Sequence, residues 1–163
     1  MISLHRLARA ELHRLAGLRI APGQQDFVED GDRMIRDQTP ELSFHEVRRD
    51  GGAVGMFKLD PLYFQRHDFA APDQIGMRGV LIDAQHQGQG LGHAMLTALP
   101  AHVRAEYPDA QQIVLTVNSR NTRAHAAYLA AGFRDEGDVW QGGGHGPQHI
   151  LRLDLKQEAA DGP

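Results

Sequence analysis

The sequence predicts a single mixed α/β domain, and three observations support that prediction. The chain has 163 residues, of which 41% are apolar, which is about the size and composition of one domain with one core. Short alternating or β-branched segments are interspersed with segments of helical periodicity along the chain. Neither an internal repeat nor a low-complexity linker divides it. We therefore expect one domain over residues 1–155 and a polar tail over residues 156–163.

The apolar periodicity places the elements in order. Leu12, Leu15 and Leu18 recur at helical spacing, and Asp50-Gly51-Gly52 is a hairpin turn between two alternating segments. The predicted strands cover residues 2–6, 42–48, 53–59, 75–82, 113–117, 133–141 and 149–155. The predicted helices lie within residues 12–18, 26–37, 91–103 and 121–131, and residues 60–73 are predicted to form a loop beside the substrate.

Charge and composition exclude several classes of function. The formal net charge is −4, from 17 Lys and Arg against 21 Asp and Glu, whereas a nucleic-acid binder usually carries a basic excess. The chain has no cysteine, which excludes disulfides, Cys-ligated zinc and thiol nucleophiles. The first residues lack the apolar region of a signal peptide, and no run of about 18 apolar residues occurs. We expect a cytoplasmic protein with neither a nucleic-acid nor a membrane partner.

Glycine is the one residue type in excess, with 18 residues, and three of them form a strand-to-helix loop. Gly88, Gly90 and Gly92 follow an apolar strand and precede a helix. A helix N-terminus offers unpaired amides and partial positive charge to an anion, and glycines let a pyrophosphate approach the backbone. The Gly-Lys-Ser/Thr of a P-loop is missing, and His93 occupies the third glycine position of a dinucleotide-binding fingerprint.

The loop resembles the acetyl-CoA loop of the GNAT superfamily of N-acetyltransferases, (Q/R)-x-x-G-x-(G/A). Gln87-Gly88-Gln89-Gly90-Leu91-Gly92 matches this pattern, as does the frame that starts at Gln85. About 30 residues later, Asn121-x-x-Ala124-x-x-x-Tyr128-x-x-x-Gly132-Phe133 resembles a second block of the family. The resemblance covers roughly residues 2–155. It implies the acyl-CoA N-acyltransferase fold, a twisted mixed β-sheet of six or seven strands flanked by about four helices.

The same resemblance implies a transferase of the acyltransferase class, an acetyl-CoA-dependent N-acetyltransferase acting on a primary amine of a small molecule by direct attack. It implies that Tyr128 protonates the departing thiolate, a modestly uphill transfer from a phenol of pKa near 10 to a thiolate whose conjugate acid has a pKa near 8.5. The residues implied to bind the coenzyme are Leu81, Ile82, Asp83, Gln87, Gly88, Gln89, Gly90, Leu91, Gly92, His93, Asn121 and Arg123.

Two details of the coenzyme site stay open at this stage. Many family members carry Arg or Lys where this chain has Gln87 and Gln89, so we expect weaker coenzyme binding. Arg120 or Arg123 is a candidate to bind the remaining phosphate of the coenzyme. The alternative is that both are solvated surface residues.

The acceptor amine and the general base are also open. The strand before the loop contains no acidic residue, which leaves water and four side chains as candidates for the base: Asp73, Asp83, Glu46 and His45. The segment Gln24 to Val28 resembles the region before the second helix in spermine/spermidine acetyltransferase-like members. The acidic side chains of residues 26–32 either collect a polyamine-like amine or form a solvated helix face: Asp26, Glu29, Asp30 and Asp32.

Alternative functions follow from the same residues. A non-catalytic acyl-CoA sensor or regulatory module would keep the loop without the chemistry, and a peptide or protein N-acetyltransferase would use another amine. A generic nucleotide-binding module would hold a different phosphate. His145 and His149 flank a Gly-Pro turn without an adjacent acidic cluster, so we expect no metal. A homodimer is possible, although no decisive interface stripe is evident.

Overall fold

The computed structural model describes residues 1–155 as one seven-stranded sheet flanked by helices. The strands are β1 (Ser3–Leu7), β2 (Ser43–Arg49), β3 (Gly52–Asp60), β4 (Gln74–Ile82), β5 (Gln112–Asn118), β6 (Arg134–Trp140) and β7 (Gln148–Asp154). The helices are a 3-10 helix (Arg9–Leu15), α1 (Gly31–Met34), α2 (Leu91–Glu106) and α3 (Thr122–Ala130), with single 3-10 turns at Tyr63–Gln65 and Ala84–His86. This arrangement confirms the predicted fold class. The predicted tail, residues 156–163, lies outside the described residues.

The strand order is β1-β2-β3-β4-β5-β7-β6, and only the β4–β5 pair is parallel. The predicted hairpin is confirmed, because β2 and β3 pair antiparallel around Asp50 and Gly51, whose φ angles are 51° and 80°. Two positive φ angles in succession match the turn that suits a tight hairpin. In the part of the chain that the structure describes, no helix combines the length and apolarity needed to span a membrane.

The first helix differs from the prediction. Residues 9–15 form a 3-10 helix instead of an α-helix, and Leu12, Leu15 and Leu18 are spaced by three residues, which is one turn of a 3-10 helix. Leu15, the last residue of the helix, is buried, and so is Leu18 in the segment that follows it. The predicted second helix is one turn long, α1, so residues 26–30 precede it as an extended and turning segment.

The core lies on both faces of the sheet. On one face, α2 and α3 cover residues such as Phe57, Ile113 and Leu115. On the other face, the 3-10 helix and α1 cover Met56 and Phe44. Met56 and Phe57 are neighbours in β3 that belong to different clusters, as the two-residue period of a strand requires.

The sheet is interrupted at its centre. β4 and β5 pair only from Gln74–Gln112 to Gly76–Val114, so the rest of each strand has no partner in the other. On its second edge, β4 contains a bulge between the pairs Met56–Leu81 and Lys58–Arg78. Gly79, within this bulge, has φ +64°. The interruption and the bulge together leave unpaired β4 backbone in the middle of the sheet, and bulges of this kind often adjoin functional sites.

Candidate active site

The predicted glycine loop connects β4 to α2 and is exposed from Gln87 to Gly90. Gly88 and Gly90 have φ angles of 75° and 76°, a conformation that strongly favours glycine. The first helical bond of α2 joins the Ala94 amide to the Gly90 carbonyl at 3.0 Å. Among residues 1–155, the amides of residues 87–93 donate to no protein acceptor. The loop therefore presents seven consecutive free amides at a helix N-terminus, which is the chemistry of an anion site.

Contacts behind the loop hold it in place. Asp83 Oδ1 accepts a hydrogen bond from the Arg19 amide at 2.8 Å, and the Ala84 amide donates to the Arg19 carbonyl at 2.8 Å. The Asp83 amide donates to the Val54 carbonyl at 2.9 Å. Gln87 Nε2 donates to the Ile82 carbonyl at 2.7 Å. Asp83 therefore anchors the loop through its side chain, and its own amide is already paired with β3.

The remaining predicted coenzyme residues divide by exposure. The side chains of Leu81 and Leu91 are buried in the core, so these side chains are not accessible to a ligand. Ile82 and Gly92 are half-buried, while Gln89 and His93 are exposed at the loop surface. Nothing lies within 4 Å of a Cβ placed on Gly92. The space beside that residue is open to a ligand in the ligand-free protein.

The second motif builds the start and the inner face of α3. Asn121 Oδ1 accepts a hydrogen bond from the Ala124 amide at 3.4 Å and caps the helix. Tyr128 is half-buried and packs edge-on against Phe133, with ring centroids 5.3 Å apart. Burial raises the pKa of Tyr128, so the phenol stays protonated at neutral pH.

The two candidate arginines lie in different surroundings. Arg123 is exposed on α3 and forms no ion pair within the described residues. Arg120 contacts Asp26, with Nη1 to Oδ2 at 3.5 Å, and its guanidinium lies 5.7 Å from the centroid of the Phe27 ring. Arg120 also donates to the His145 carbonyl at 3.2 Å. Arg120 therefore joins two chain segments, which leaves Arg123 as the more available cation for a phosphate.

A cavity of about 370 Å³ lies against the β4 bulge. Its walls come from the acidic segment before α1, from β3 and β4, and from the turn between β6 and β7. The lining residues are Gln25, Asp26, Phe27, Val28, Glu29, Met34, Lys58, Arg78, Gly79 and His145. The acidic segment singled out in the sequence is thus brought to the interrupted centre of the sheet. The predicted loop of residues 60–73 does not line this cavity.

One wall of the cavity carries a compact ion network that sequence reasoning missed. Asp37 Oδ2 lies 3.2 Å from Lys58 Nζ and 2.9 Å from Arg78 Nη1. Burial lowers the pKa of Lys58. Burial by itself would raise the pKa of Asp37. Hydrogen bonds from Thr39 and the charges of Lys58 and Arg78 outweigh burial and hold this pKa well below its usual range. These residues come from distant parts of the chain, and no local pattern brings them together.

Gly79 is required where the bulge meets this network. Its φ of +64° disfavours any side chain, and a Cβ there would lie 2.4 Å from Lys58 Cε. The glycine therefore lets the β4 backbone approach the buried lysine and reach the cavity wall. A glycine inside a strand indicates a bulge or a close backbone approach. Gly79 within β4 is therefore the local feature of the sequence that pointed to this bulge.

The acidic side chains of the cavity rim already have partners. Glu29 Oε2 lies 3.6 Å from Arg33 Nε, and Asp26 pairs with Arg120. Both pairs are exposed, so each is worth little to stability. An incoming cation can displace such an arginine at small cost.

None of the four side chains considered for the base lines this cavity. Glu46 is fully buried and accepts hydrogen bonds from Arg14 and Arg48 at 2.6 to 3.1 Å. Asp73 is exposed before the start of β4, roughly 25–30 Å along the strand from the glycine loop. Asp83 anchors the loop, as described above. A base acting through water is consistent with this arrangement.

His45 lies in a buried polar chain on the α2 face. Its Nδ1 is 2.7 Å from His102 Nε2, and its Nε2 is 2.7 Å from Ser43 Oγ, which in turn contacts the Tyr107 hydroxyl at 2.7 Å. Burial, with the nearby charges of His102 and Arg6, lowers the pKa of His45 to about 2. The imidazole is neutral and fully engaged, which fits a structural role.

Known proteins resemble this chain in both sequence and fold. The model of the acetyltransferase (GNAT) family matches residues 8–133. An uncharacterized N-acetyltransferase YbbJ from Bacillus subtilis (strain 168) is 33% identical over 107 residues, which are 63% of this chain and 62% of that protein. The chain thus matches less than two thirds of the length of this curated relative.

Solved structures share the fold at low identity. An aminoglycoside acetyltransferase, AAC(6')-Ib in complex with coenzyme A, superposes with a TM-score of 0.73 at 16% identity, covering 94% of this chain and 95% of that chain. The ribosomal-protein-S18-alanine N-acetyltransferase from Escherichia coli gives 0.68 at 17%, covering 99% and 98%. A spermidine N-acetyltransferase chimera from Vibrio cholerae and hSSAT gives 0.70 at 15%, covering 94% and 95%.

Proposed function

The chain belongs to the acetyltransferase (GNAT) family, and from this premise we propose that it transfers an acetyl group from acetyl-CoA to a primary amine of a small molecule. One observation carries the proposal: the free amides of residues 87–93 lie in the segment that matches the acetyl-CoA motif. Backbone amides at a helix N-terminus suit a pyrophosphate because they bind negative charge without a basic side chain.

The interrupted sheet provides a route for the rest of the coenzyme. Beyond Gly76, the β4 edge that faces β5 is unpaired, so its backbone groups are free to hydrogen-bond an extended ligand. We assign the pantetheine arm to this edge beside Leu81 and Ile82, and the thioester oxygen to unpaired β4 amides. Asn121 and Arg123 lie at the start of α3 and are assigned to the coenzyme as well.

The acceptor amine is assigned to the cavity of about 370 Å³ at the β4 bulge. Its neutral nitrogen attacks the thioester carbonyl carbon, the carbon–sulfur bond breaks, and the departing thiolate takes a proton from the hydroxyl of Tyr128. The proton lost by the amine passes to water, and the phenolate left at Tyr128 takes a proton back from solvent. Tyr128 is protonated at neutral pH, as a general acid must be, although its raised pKa makes the transfer to the thiolate more uphill than from an unperturbed phenol.

Ligand binding and turnover test the proposal separately. In a thermal unfolding assay, acetyl-CoA is expected to raise the midpoint of the protein, while ATP and NAD at equal concentration leave it unchanged. Release of free thiol from acetyl-CoA is then measured with a panel of amines. Stabilisation without thiol release for any amine would indicate an acyl-CoA sensor. Equal stabilisation by ATP would contradict the proposed coenzyme site.

We further propose that the acceptor is polyamine-like, because Asp26 and Glu29 form the rim of the cavity. In the double variant Asp26→Asn/Glu29→Gln, the KM for spermidine is expected to rise several-fold while kcat changes little, since the rim attracts cations without contacting the reacting atoms. Asp109→Asn, an exposed carboxylate away from the cavity, is the control. An unchanged KM in the double variant would exclude a polyamine held by this rim.

A further inference from the structure

Three potential metal ligands converge on the sheet face that carries α3. His125 lies on α3, Asp135 on β6 and His149 on β7. His125 Nε2 is 2.8 Å from Asp135 Oδ2, and His149 Nδ1 is 3.5 Å from the same oxygen. One ligand atom from each residue lies within 4.8 Å of the other two. In the sequence, His149 pairs with His145 across the Gly-Pro turn, whereas in the structure its partners are His125 and Asp135.

The local backbone aims the carboxylate at the two rings. β6 contains an irregularity between Asp135 and Val139, and Gly137 within it has φ +92°. The Gly137 amide donates to Asp135 Oδ1 at 2.9 Å, which fixes the carboxylate and leaves Oδ2 directed toward both imidazoles. Such a partner behind a ligand is typical of metal sites, where outer hydrogen bonds orient the coordinating atoms.

The spacing of the donors fits a tetrahedral ion. Zinc binds imidazole nitrogen and carboxylate oxygen at about 2.0–2.2 Å, which separates two ligands of a tetrahedral site by roughly 3.4 Å. The observed separations of 2.8 and 3.5 Å bracket that value. The two imidazole nitrogens lie within 4.8 Å of each other, so side-chain rotations would be needed to bring all three donors to the tetrahedral spacing.

A single histidine–aspartate hydrogen bond does not explain the whole arrangement. The two imidazole rings stack with centroids 4.4 Å apart, and a nitrogen of each lies within 3.5 Å of the same Asp135 oxygen. Two imidazoles and one carboxylate are a ligand set that suits Zn²⁺ and its neighbours in the first transition row. The side chains are 18 to 30% exposed, so an ion can reach them and water can supply a fourth ligand.

We infer that His125, Asp135 and His149 bind one divalent transition-metal ion, with Zn²⁺ as the representative species. The ion is not part of the acetyl-transfer chemistry. It links α3, which carries Asn121 and Tyr128, to β6 and β7. Its expected effect is to stabilise this part of the fold, and the inference does not depend on the proposed function.

Zinc binding to the untagged, chelator-treated chain tests the inference directly. Competition with a chromogenic chelator is expected to give one Zn²⁺ per chain, and zinc is expected to raise the midpoint of thermal unfolding. His125→Ala, Asp135→Asn and His149→Ala are each expected to lower the affinity at least tenfold, roughly the loss seen at the lower end for outer partners of metal sites. His13→Ala, an exposed histidine on the first 3-10 helix, should bind like the unmodified chain.

Two results would overturn the inference. One is the absence of stoichiometric zinc binding by the unmodified chain, and the other is unchanged affinity in His125→Ala and His149→Ala. Circular dichroism of the metal-free variants establishes that each is folded. Where a variant does not fold, X-ray absorption on the zinc-loaded unmodified chain decides: two imidazoles among nitrogen and oxygen ligands support the site, and fewer than two contradict it.

Discussion

The glycine loop and strand β2 both contain several polar groups, but the backbone amides of the loop, unlike the buried side chains of β2, form no hydrogen bonds within residues 1–155. In the loop, the amides of residues 87–93 donate to no acceptor among residues 1–155, and residues 87–90 are exposed. In β2, Glu46 and His45 are fully buried, and each is hydrogen-bonded by neighbouring side chains. The buried polar groups of β2 have partners within the fold, while the loop amides proposed to bind the coenzyme have none.

The energetic consequence follows from hydration. Exposed amides are solvated by water, so leaving them unpaired costs the free protein little. A buried carboxylate without its arginines would instead be strongly destabilising. Changes in the loop are therefore expected to affect ligand binding more than stability, and changes in β2 are expected to do the reverse.

The largest expected effect lies at the reacting end of the proposed site. Tyr128→Phe removes only the hydroxyl, so the packing against Phe133 is retained. We expect kcat to fall about 100-fold, as is typical when a general acid is lost, with little change in the KM for acetyl-CoA or in thermal stability. Steady-state kinetics on the purified variant measures both constants. Turnover at the rate of the unmodified chain would show that Tyr128 is not the acid.

Gly92→Ala tests whether a change in the loop affects ligand binding more than stability. The protein has room for the added methyl group. Stability is expected to be unchanged or slightly higher, since alanine favours a helix. Acetyl-CoA binding, measured by calorimetry, is expected to weaken about tenfold, which corresponds to about 1.4 kcal/mol, because the methyl group occupies the space of the ligand.

Gly17→Ala is the matched control for this variant. Gly17 also has open space around it and lies outside the loop, so its substitution should leave the affinity for acetyl-CoA unchanged. If Gly92→Ala bound acetyl-CoA as tightly as Gly17→Ala, the coenzyme would not approach the backbone at residue 92.

The effect expected in β2 is a pH dependence of stability. The pKa of His45 is about 2 in the folded protein and near 6.5 in an unfolded chain. Between these two pH values, His45 is protonated in the unfolded chain and neutral in the folded protein. The free energy of unfolding therefore decreases as the pH falls below 6.5. The loss is at most about 1.4 kcal/mol per pH unit for this group. Burial also lowers the pKa of His102, which adds in the same direction.

Urea unfolding between pH 7 and pH 5 measures this slope. This window lies above the range in which the carboxylates titrate, so it isolates the histidines. His45→Gln, which cannot be protonated there, is expected to reduce the slope, while His13→Gln, on the exposed first helix, should leave it unchanged. An equal slope in His45→Gln and in the unmodified chain would contradict the assignment of His45 as a neutral, buried group.

The sequence by itself predicted the features that depend on neighbouring residues. The order of the strands along the chain, the hairpin turn at Asp50 and Gly51 and the glycine loop all follow from local spacing. The family resemblance also depended on two short motifs. Such features are predictable because backbone conformation and side-chain periodicity act over a few residues.

Only the tertiary structure decided which distant residues meet. The ion network of Asp37, Lys58 and Arg78, the cavity lined by Asp26 and His145, and the convergence of His125 on Asp135 and His149 all join separate elements. The early end of β4–β5 pairing and the roles of Glu46 and His45 likewise depend on packing. The physical reason is that sheet register and burial are set by contacts between segments, which no local spacing specifies.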